Sequence, residues 1–283
     1  MGAEDLQAFR RHPPMWADDG AQTAEDDAAS PGRTPPTPAG PPSISWPLTS
    51  FANTIQNVCC ISFLLGFALA LNTASFFSAS SHNPHSLWPT LNAYSVLLIA
   101  FHLLEFLTTA IFNPSRVTVD SFLLNNGASY WFAQLFSTAE YLLREKYMRS
   151  FPTITALDKP LVRSVGLAIA IAGQAVRTLA MITAANSFNH RVSTHHKKQD
   201  DHALVTNGIY SFLRHPSYFG FFWWSIGIQL FLANPLSLLI FSFVLWSFFN
   251  ARIQTEELHL IKFFGQAYVD YRSTTSTRIP FIK

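Results

Sequence analysis

From Phe51 onward, apolar stretches of helix length alternate with short polar connections. Phe51–Ser81 carries no formal charge. Further apolar runs lie at about Leu91–Phe112, Ser121–Leu143 and Leu161–Asn186, the last interrupted by Arg177. A hydrocarbon core of about 30 Å takes about 20 helical residues, so each run predicts one crossing. The final run, Pro216–Ala251, is 36 residues without a formal charge, roughly 54 Å as one helix and too long for a single crossing. Asn234-Pro235 sits near its middle. Proline lacks an amide hydrogen and disfavours helix at the residue before it, so the chain is predicted to turn there. Two helices of 17–19 residues then form a tight hairpin that brings Arg214-His215 and Arg252–Glu256 to the same end. No period-two alternation and no internal repeat occurs. The pattern predicts an all-α polytopic membrane protein with about six transmembrane segments.

Residues 1–47 break this pattern. They hold nine of the 17 prolines and seven of the 17 acidic residues, with stretches such as "SPGRTPPTPAGPPS". Such a segment buries too little apolar surface to offset its ordering entropy, and a disordered acidic tail is expected. Its TPPTP suits polyproline II, either as a linker or as a docking element. No signal or transit peptide is expected at MGAEDL, and Leu6 stands where a myristoylation signal wants Ser or Thr. The expected organisation is a tail at 1–47, four spans over 48–186, and a catalytic region at 187–283.

Charge adds orientation. Beyond residue 47 there are 16 basic and 10 acidic residues, net +6, which suits basic loops beside anionic lipid. No basic stretch interleaved with aromatics suggests nucleic acid. Loop 144–163 (Arg144, Lys146, Arg149, Lys159, Arg163) and loop 187–210 (Arg191, Lys197, Lys198) flank one span. Both look cytosolic by the positive-inside rule, and both cannot be if that span crosses. The second loop and the C-terminus are placed in the cytosol, because the chemistry below needs a soluble cofactor there; the basic 144–163 loop is left unexplained.

Few residues carry candidate chemistry. Arg177 has 13 formally uncharged residues on each side. Arginine at that depth costs at least about 2.5–3.5 kcal/mol, which favours a functional role over snorkelling or a structural pair with Glu105 or Glu140. For Glu105 the structural reading is preferred, with His102 three residues earlier as a candidate partner. Arg252 and Glu256, four apart, share a helix face, in the order less favourable for helix stability, which shifts weight towards ligand binding. Glu257 points elsewhere and reads as solvated. "HRVSTHHKKQDDH" is rich in ligating residues, but its spacing fits no zinc pattern, and adjacent Cys59 and Cys60 read as small hydrophobes. No metal is expected. Neither a Gly-rich phosphate loop, a nucleophile elbow nor a Rossmann fingerprint occurs.

"NSFNH", "DHALVTNGIYSFLRHPSYFGFFWWSIGIQLFLANP", "RIQTEELHLIKFFGQAYVDY" and "IPFI", taken in order, resemble isoprenylcysteine carboxyl methyltransferases, and "FHLLEFLTTAIFNPSRVTVDSFLLNN" is similar to that family's earlier span and loop. The likeness covers about residues 90–283, and the acidic, proline-rich tail looks like the fungal branch. The resemblance implies an endoplasmic-reticulum enzyme that uses S-adenosylmethionine to methylate the C-terminal carboxylate of farnesyl- or geranylgeranyl-cysteine on processed CaaX proteins. Carried over by motif, it implies cofactor contacts at His202, Ala203, Leu204, Val205, Tyr210, His215, Pro216, Ser217, Tyr218 and Glu256. A further contact falls after His190, where Ser193 and His195 compete. Arg177 and Arg252 fall where the family holds the substrate carboxylate.

Elementary chemistry agrees with that expectation. An α-carboxyl group has a pKa of about 3.3–3.7 and is ionised at pH 7, so no general base is required. The site must place carboxylate and methyl in line, and arginine can grip a carboxylate while one lone pair stays free. One substrate diffuses within lipid and the other in water, so polar ligands must abut apolar helices. A lipid head-group methyltransferase, a sterol reductase and a non-catalytic adaptor using the proline-rich tail are the competing readings.

Overall fold

In the computed structural model, which describes residues 52–82, 87–147, 157–188 and 203–282, seven α-helices and short 3-10 turns make up the regular structure. They are α1 (Ile55–His82), α2 (Trp88–Phe112), α3 (Ala128–Tyr147), α4 (Pro160–Ala184), α5 (Pro216–Leu232), α6 (Pro235–Phe264) and α7 (Gln266–Thr274). The expected tail and most of the histidine-bearing loop lie outside the described residues. Proline stands in the first turn of α2, α4, α5 and α6, where its missing amide hydrogen would have no partner anyway.

Among the described residues, four helices are long and apolar enough to cross a membrane: α1 over Ile55–Ser78, α2, α4 and α6. The expected six are not all of that kind. Helix α5 has 17 residues, and α3 carries Glu140, Arg144, Glu145 and Lys146 near its end. The third run also starts later than expected. Val119–Phe122 forms a 3-10 turn in which Thr118 and Ser121 cap each other's backbone, Leu123 is left-handed, and α3 begins only at Ala128. Phe122 stacks on Phe106 of α2 at 4.0 Å and is fully buried, so local capping and that stack outweigh helix continuation.

Among the described residues, α4 and α5 pack with their backbones in close contact. A Cβ on Gly173 would lie 2.5 Å from the Trp224 nitrogen, and one on Gly220 would lie 2.6 Å from the Gly173 oxygen. Two turns away, Gly166 and Gly227 meet in the same manner, with Ala170 between them. The pairs 166/227 and 173/220 run antiparallel, and their seven-residue spacing keeps both on one helix face. Small residues let backbones approach where lipid supplies no hydrophobic drive, so dispersion and polar contacts hold the pair.

The α5–α6 turn occurs where expected. Ala233 is left-handed, the Asn234 amide donates to the Gln229 oxygen (2.9 Å), and Pro235 opens α6. The turn is held from α3. Asn234 Nδ2 donates to the Ser137 oxygen (2.8 Å), and Ser137 Oγ donates to Gln229 Oε1 (2.9 Å). The Glu140 carboxylate accepts the Leu236 and Ser237 amides at 2.8 and 2.6 Å, capping α6 with negative charge. Glu140 is therefore not a partner of Arg177.

The same end accounts for part of the basic 144–163 loop. Arg144 is buried, pairs with Glu145 (2.6 Å) and donates to the Leu232 oxygen (3.0 Å); Arg163 pairs with Asp158 and Glu145 at 2.5 and 3.3 Å. These two arginines act inside the fold, where they tie α3 and α4 to the end of α5. We expect Glu140→Gln to lower the melting temperature in detergent by about 2–4 °C, about 1 kcal/mol of lost capping. An unchanged melting curve would mean that the α6 terminus needs no anion.

Candidate active site

At the end of α5 away from this turn, four elements meet. Helix α4 brings Arg177, the first turn of α5 brings His215–Tyr218, α6 brings Arg252, Glu256 and Glu257, and α7 folds back over them after Gly265. At that residue φ is +59°, a conformation suited to glycine. They enclose a cavity of about 200 Å3. Arg177, Ala203, Leu204, Val205, Tyr210, His215, Pro216, Ser217, Tyr218 and Glu256 all line it. Of the sequence-predicted residues, His202, Ser193 and His195 lie outside the described residues.

Arg177 enters from the middle of the bundle. Its Nε donates to Glu105 Oε1 (2.5 Å), Nη2 to Glu105 Oε2 (2.9 Å), and Nη1 to Ser217 Oγ (3.0 Å). The Phe101 and Phe221 rings flank the guanidinium at 5.4 and 5.3 Å. The structure thus combines the two readings of Arg177: it is ion-paired with Glu105, and it faces the cavity. His102 has other bonds. Its Nδ1 donates to the Phe122 oxygen (2.7 Å), leaving Nε2 to accept from Tyr130 (3.0 Å).

Arg252 is placed differently from the other expected residues. It does not appear among the cavity-lining side chains. Its Nε donates to Tyr218 Oη (2.9 Å), and that hydroxyl donates to Glu256 Oε2 (2.5 Å). Tyr218 is stacked between His215 and Phe249 at 5.5 and 5.1 Å, so a rigid phenol links guanidinium and carboxylate.

Glu257 overturns the expectation of a solvated side chain. It is 3% exposed and accepts from Arg214 Nε (2.5 Å), Arg272 Nε (3.1 Å) and His215 Nε2 (3.2 Å). The covering element is α7 with the chain that follows it. The Arg214 amide donates to the Ser276 oxygen (3.0 Å), and Arg214 Nη1 donates to the Thr275 oxygen. Tyr271 Oη donates to the Tyr210 oxygen (2.6 Å). Burial, and after it the Glu256 carboxylate, push the Tyr210 phenol up, and burial pushes that of Tyr271 up to about 12. Both stay neutral donors at pH 7. Arg272, Tyr268 and Tyr271 are not singled out from the sequence; the hairpin places Arg214 beside Arg252–Glu256, but reading Glu257 as solvated misses its pairing with Arg214.

Among the described residues no group of three or more His, Cys, Asp or Glu side chains could hold a metal ion. Two polar atoms of cavity-lining residues, Arg214 Nη2 and Tyr268 Oη, are buried without a hydrogen-bond partner among the described residues. Leu260, Phe263 and Phe264 give the cavity an apolar wall. Such a site can take a molecule with a flat apolar part, a cation for Glu256 and an anion for the unsatisfied donors.

Comparison with known proteins bears on this chemistry. The sequence model of the isoprenylcysteine carboxyl methyltransferase (ICMT) family matches residues 166–262. A protein-S-isoprenylcysteine O-methyltransferase of Saccharomyces cerevisiae is 44% identical over 234 residues, covering 81% of this chain and 93% of the relative. The Homo sapiens protein of that name is 40% identical over 219 residues, covering 77% and 72%. The solved structure of a eukaryotic intramembrane Ras methyltransferase ICMT superposes with a TM-score of 0.68 at 34% identity, covering 82% of this chain and 88% of that one.

Proposed function

The chain belongs to the isoprenylcysteine carboxyl methyltransferase family, and from that premise we propose how its cavity performs the family's reaction, methyl esterification of a C-terminal prenylcysteine carboxylate. The observation that carries the proposal is one cavity that joins Arg177, from mid-bundle, to the His215–Tyr218 turn and Glu256.

The residues present fit S-adenosylmethionine, which when bound supplies a methyl group on a cationic sulfur. The Glu256 carboxylate suits positive charge. The unsatisfied Arg214 and Tyr268 atoms suit its carboxylate. Leu204, Val205, Leu260 and Phe263 suit the adenine ring. His202 and the loop after His190 complete this set in the proposal. Residues 187–283 then form a catalytic region that takes Arg177 from the span before it.

Arg177 donates to the prenylcysteine carboxylate while Glu105 and Ser217 hold its plane. Arg252 takes part through Tyr218, which ties it to Glu256, the acceptor for the cofactor's positive charge. The substrate carboxylate attacks as the anion, so no side chain has to move a proton. A farnesyl or geranylgeranyl chain stays among lipid and the apolar faces of α5 and α6. The protein is a multi-pass integral membrane protein. Its location in the endoplasmic reticulum with the cavity facing the cytosol, and six crossings that count α3 and α5, belong to the proposal.

The test is transfer of tritium from labelled S-adenosylmethionine to N-acetyl-farnesyl-cysteine by the purified protein, read as base-labile methyl ester. Label appearing in phospholipid instead would support head-group methylation. Deleting residues 1–45 is expected to leave specific activity in detergent within about threefold, because a segment of that composition has too little apolar surface to offset its ordering entropy. Complete loss at normal expression would assign the tail to the site.

A further inference from the structure

Glu105 is the one acidic residue in the middle of α2, and it is fully buried. Its two carboxylate oxygens take Arg177 side-on, and the Ser217 hydroxyl and backbone oxygen and two aromatic rings hold the guanidinium beside the cavity it lines. The arginine facing the cavity is therefore one half of a neutral pair.

We propose that Glu105 is a positioning residue of the methyl-transfer reaction, cancelling the charge of Arg177 so that it orients the prenylcysteine carboxylate without stabilising its negative charge. This rests on the function proposed above and goes beyond it. In the reaction a lone pair on a carboxylate oxygen forms the O–CH3 bond as the S–CH3 bond breaks, its electron pair remaining on sulfur. A carboxylate of charge −1 and a sulfonium of charge +1 become a neutral ester and a neutral thioether, and no proton moves. Charge disappears on the way to the transition state. An uncompensated guanidinium in a low-dielectric site would stabilise the ionised ground state more than the transition state, and only interactions stronger in the transition state speed the chemical step. It would also favour the anionic substrate over the ester that must leave. A neutral Glu105–Arg177 pair keeps the fixed donor geometry and removes that bias.

The measurement is the preference of the full-length protein for N-acetyl-farnesyl-cysteine over its methyl ester. Both dissociation constants are taken with S-adenosylhomocysteine present, so that nothing turns over. In Glu105→Gln the preference for the acid is expected to rise at least about fivefold over wild type. KM for the acid falls and kcat falls with it. Glu105→Asp keeps the charge and is expected to retain the wild-type preference. A role confined to folding would lower the active fraction and leave the acid-to-ester ratio unchanged, and that result overturns the proposal. Should Glu105→Gln fail to fold, Glu105→Asp carries the test, because its shorter carboxylate keeps the charge while loosening the geometry. An acid-to-ester ratio within about twofold of wild type with a lowered kcat supports cancellation, whereas a ratio shifted at least about fivefold overturns it. Wild-type protein that transfers no tritium to the acid would instead sink the functional reading itself, so the two failures are distinct.

Discussion

Replacing Gly220 with leucine is expected to reduce methyl transfer at least about a hundredfold, about 2.7 kcal/mol of transition-state stabilisation. The Cβ alone would lie 2.6 Å from the Gly173 oxygen, 2.7 Å from the Arg177 nitrogen and 2.8 Å from the Arg177 Cβ. Two of those neighbours are backbone atoms of α4 and cannot rotate aside, so α5 must move bodily. Ser217 lies three residues earlier on α5 and is hydrogen-bonded to Arg177 at 3.0 Å, so the movement is transmitted directly to the guanidinium. A displacement near 1 Å is enough to cost about a hundredfold where catalysis depends on placement. Gly66 provides the control: a Cβ there meets nothing within 4 Å, and Gly66→Leu is expected to keep activity within about twofold. Tritium transfer per unit of folded protein, with the folded fraction taken from size-exclusion and thermal melting, checks both. Equal behaviour of the two variants would show that α4–α5 contact does not position the site.

That glycine pairing shows where sequence reading stopped. Length and hydropathy located the helices and the Asn234-Pro235 turn because they depend on properties local to a segment. The seven-residue spacing of Gly166/Gly173 and Gly220/Gly227 was equally visible, but its meaning depends on which two helices meet. Glu105 and Arg177 were named as candidate partners, while the choice between Glu105 and Glu140 required knowing that Glu140 faces the α6 terminus. The Glu257 reading failed for a related reason: a carboxylate after a membrane helix looks solvated until α7 and the 275–282 segment fold over it. The late start of α3 was hidden by the apolar character of Phe122 to Leu124, which suits a buried turn as well as a helix. The motif residues of the cavity were legible as a set, since most sit within one or two turns of a helix end. Their common cavity could not be derived from spacing.

Arg177→Lys is expected to lower kcat/KM for prenylcysteine about a hundredfold, with S-adenosylmethionine affinity by calorimetry changing no more than about threefold. Lysine keeps the charge but has one ammonium in place of a planar fork. It cannot donate side-on to both Glu105 oxygens and reach Ser217 Oγ as well, which Arg177 does at 2.5, 2.9 and 3.0 Å. An ammonium drawn to Glu105 would recede from the cavity, and one drawn to the substrate would leave a buried carboxylate unpaired. Arg252→Lys should be milder, about tenfold, because Arg252 is not among the cavity-lining side chains and reaches the site through its Nε bond to Tyr218. Glu256→Gln should show the opposite division, with cofactor affinity falling first, since its carboxylate lines the cavity and is the acidic group there that suits the cofactor's positive charge. The discriminating quantity is which ligand's affinity responds. Arginine variants that lose S-adenosylmethionine while keeping normal prenylcysteine kinetics would reverse the assignment, placing the cofactor at Arg177 and the lipid substrate at Glu256.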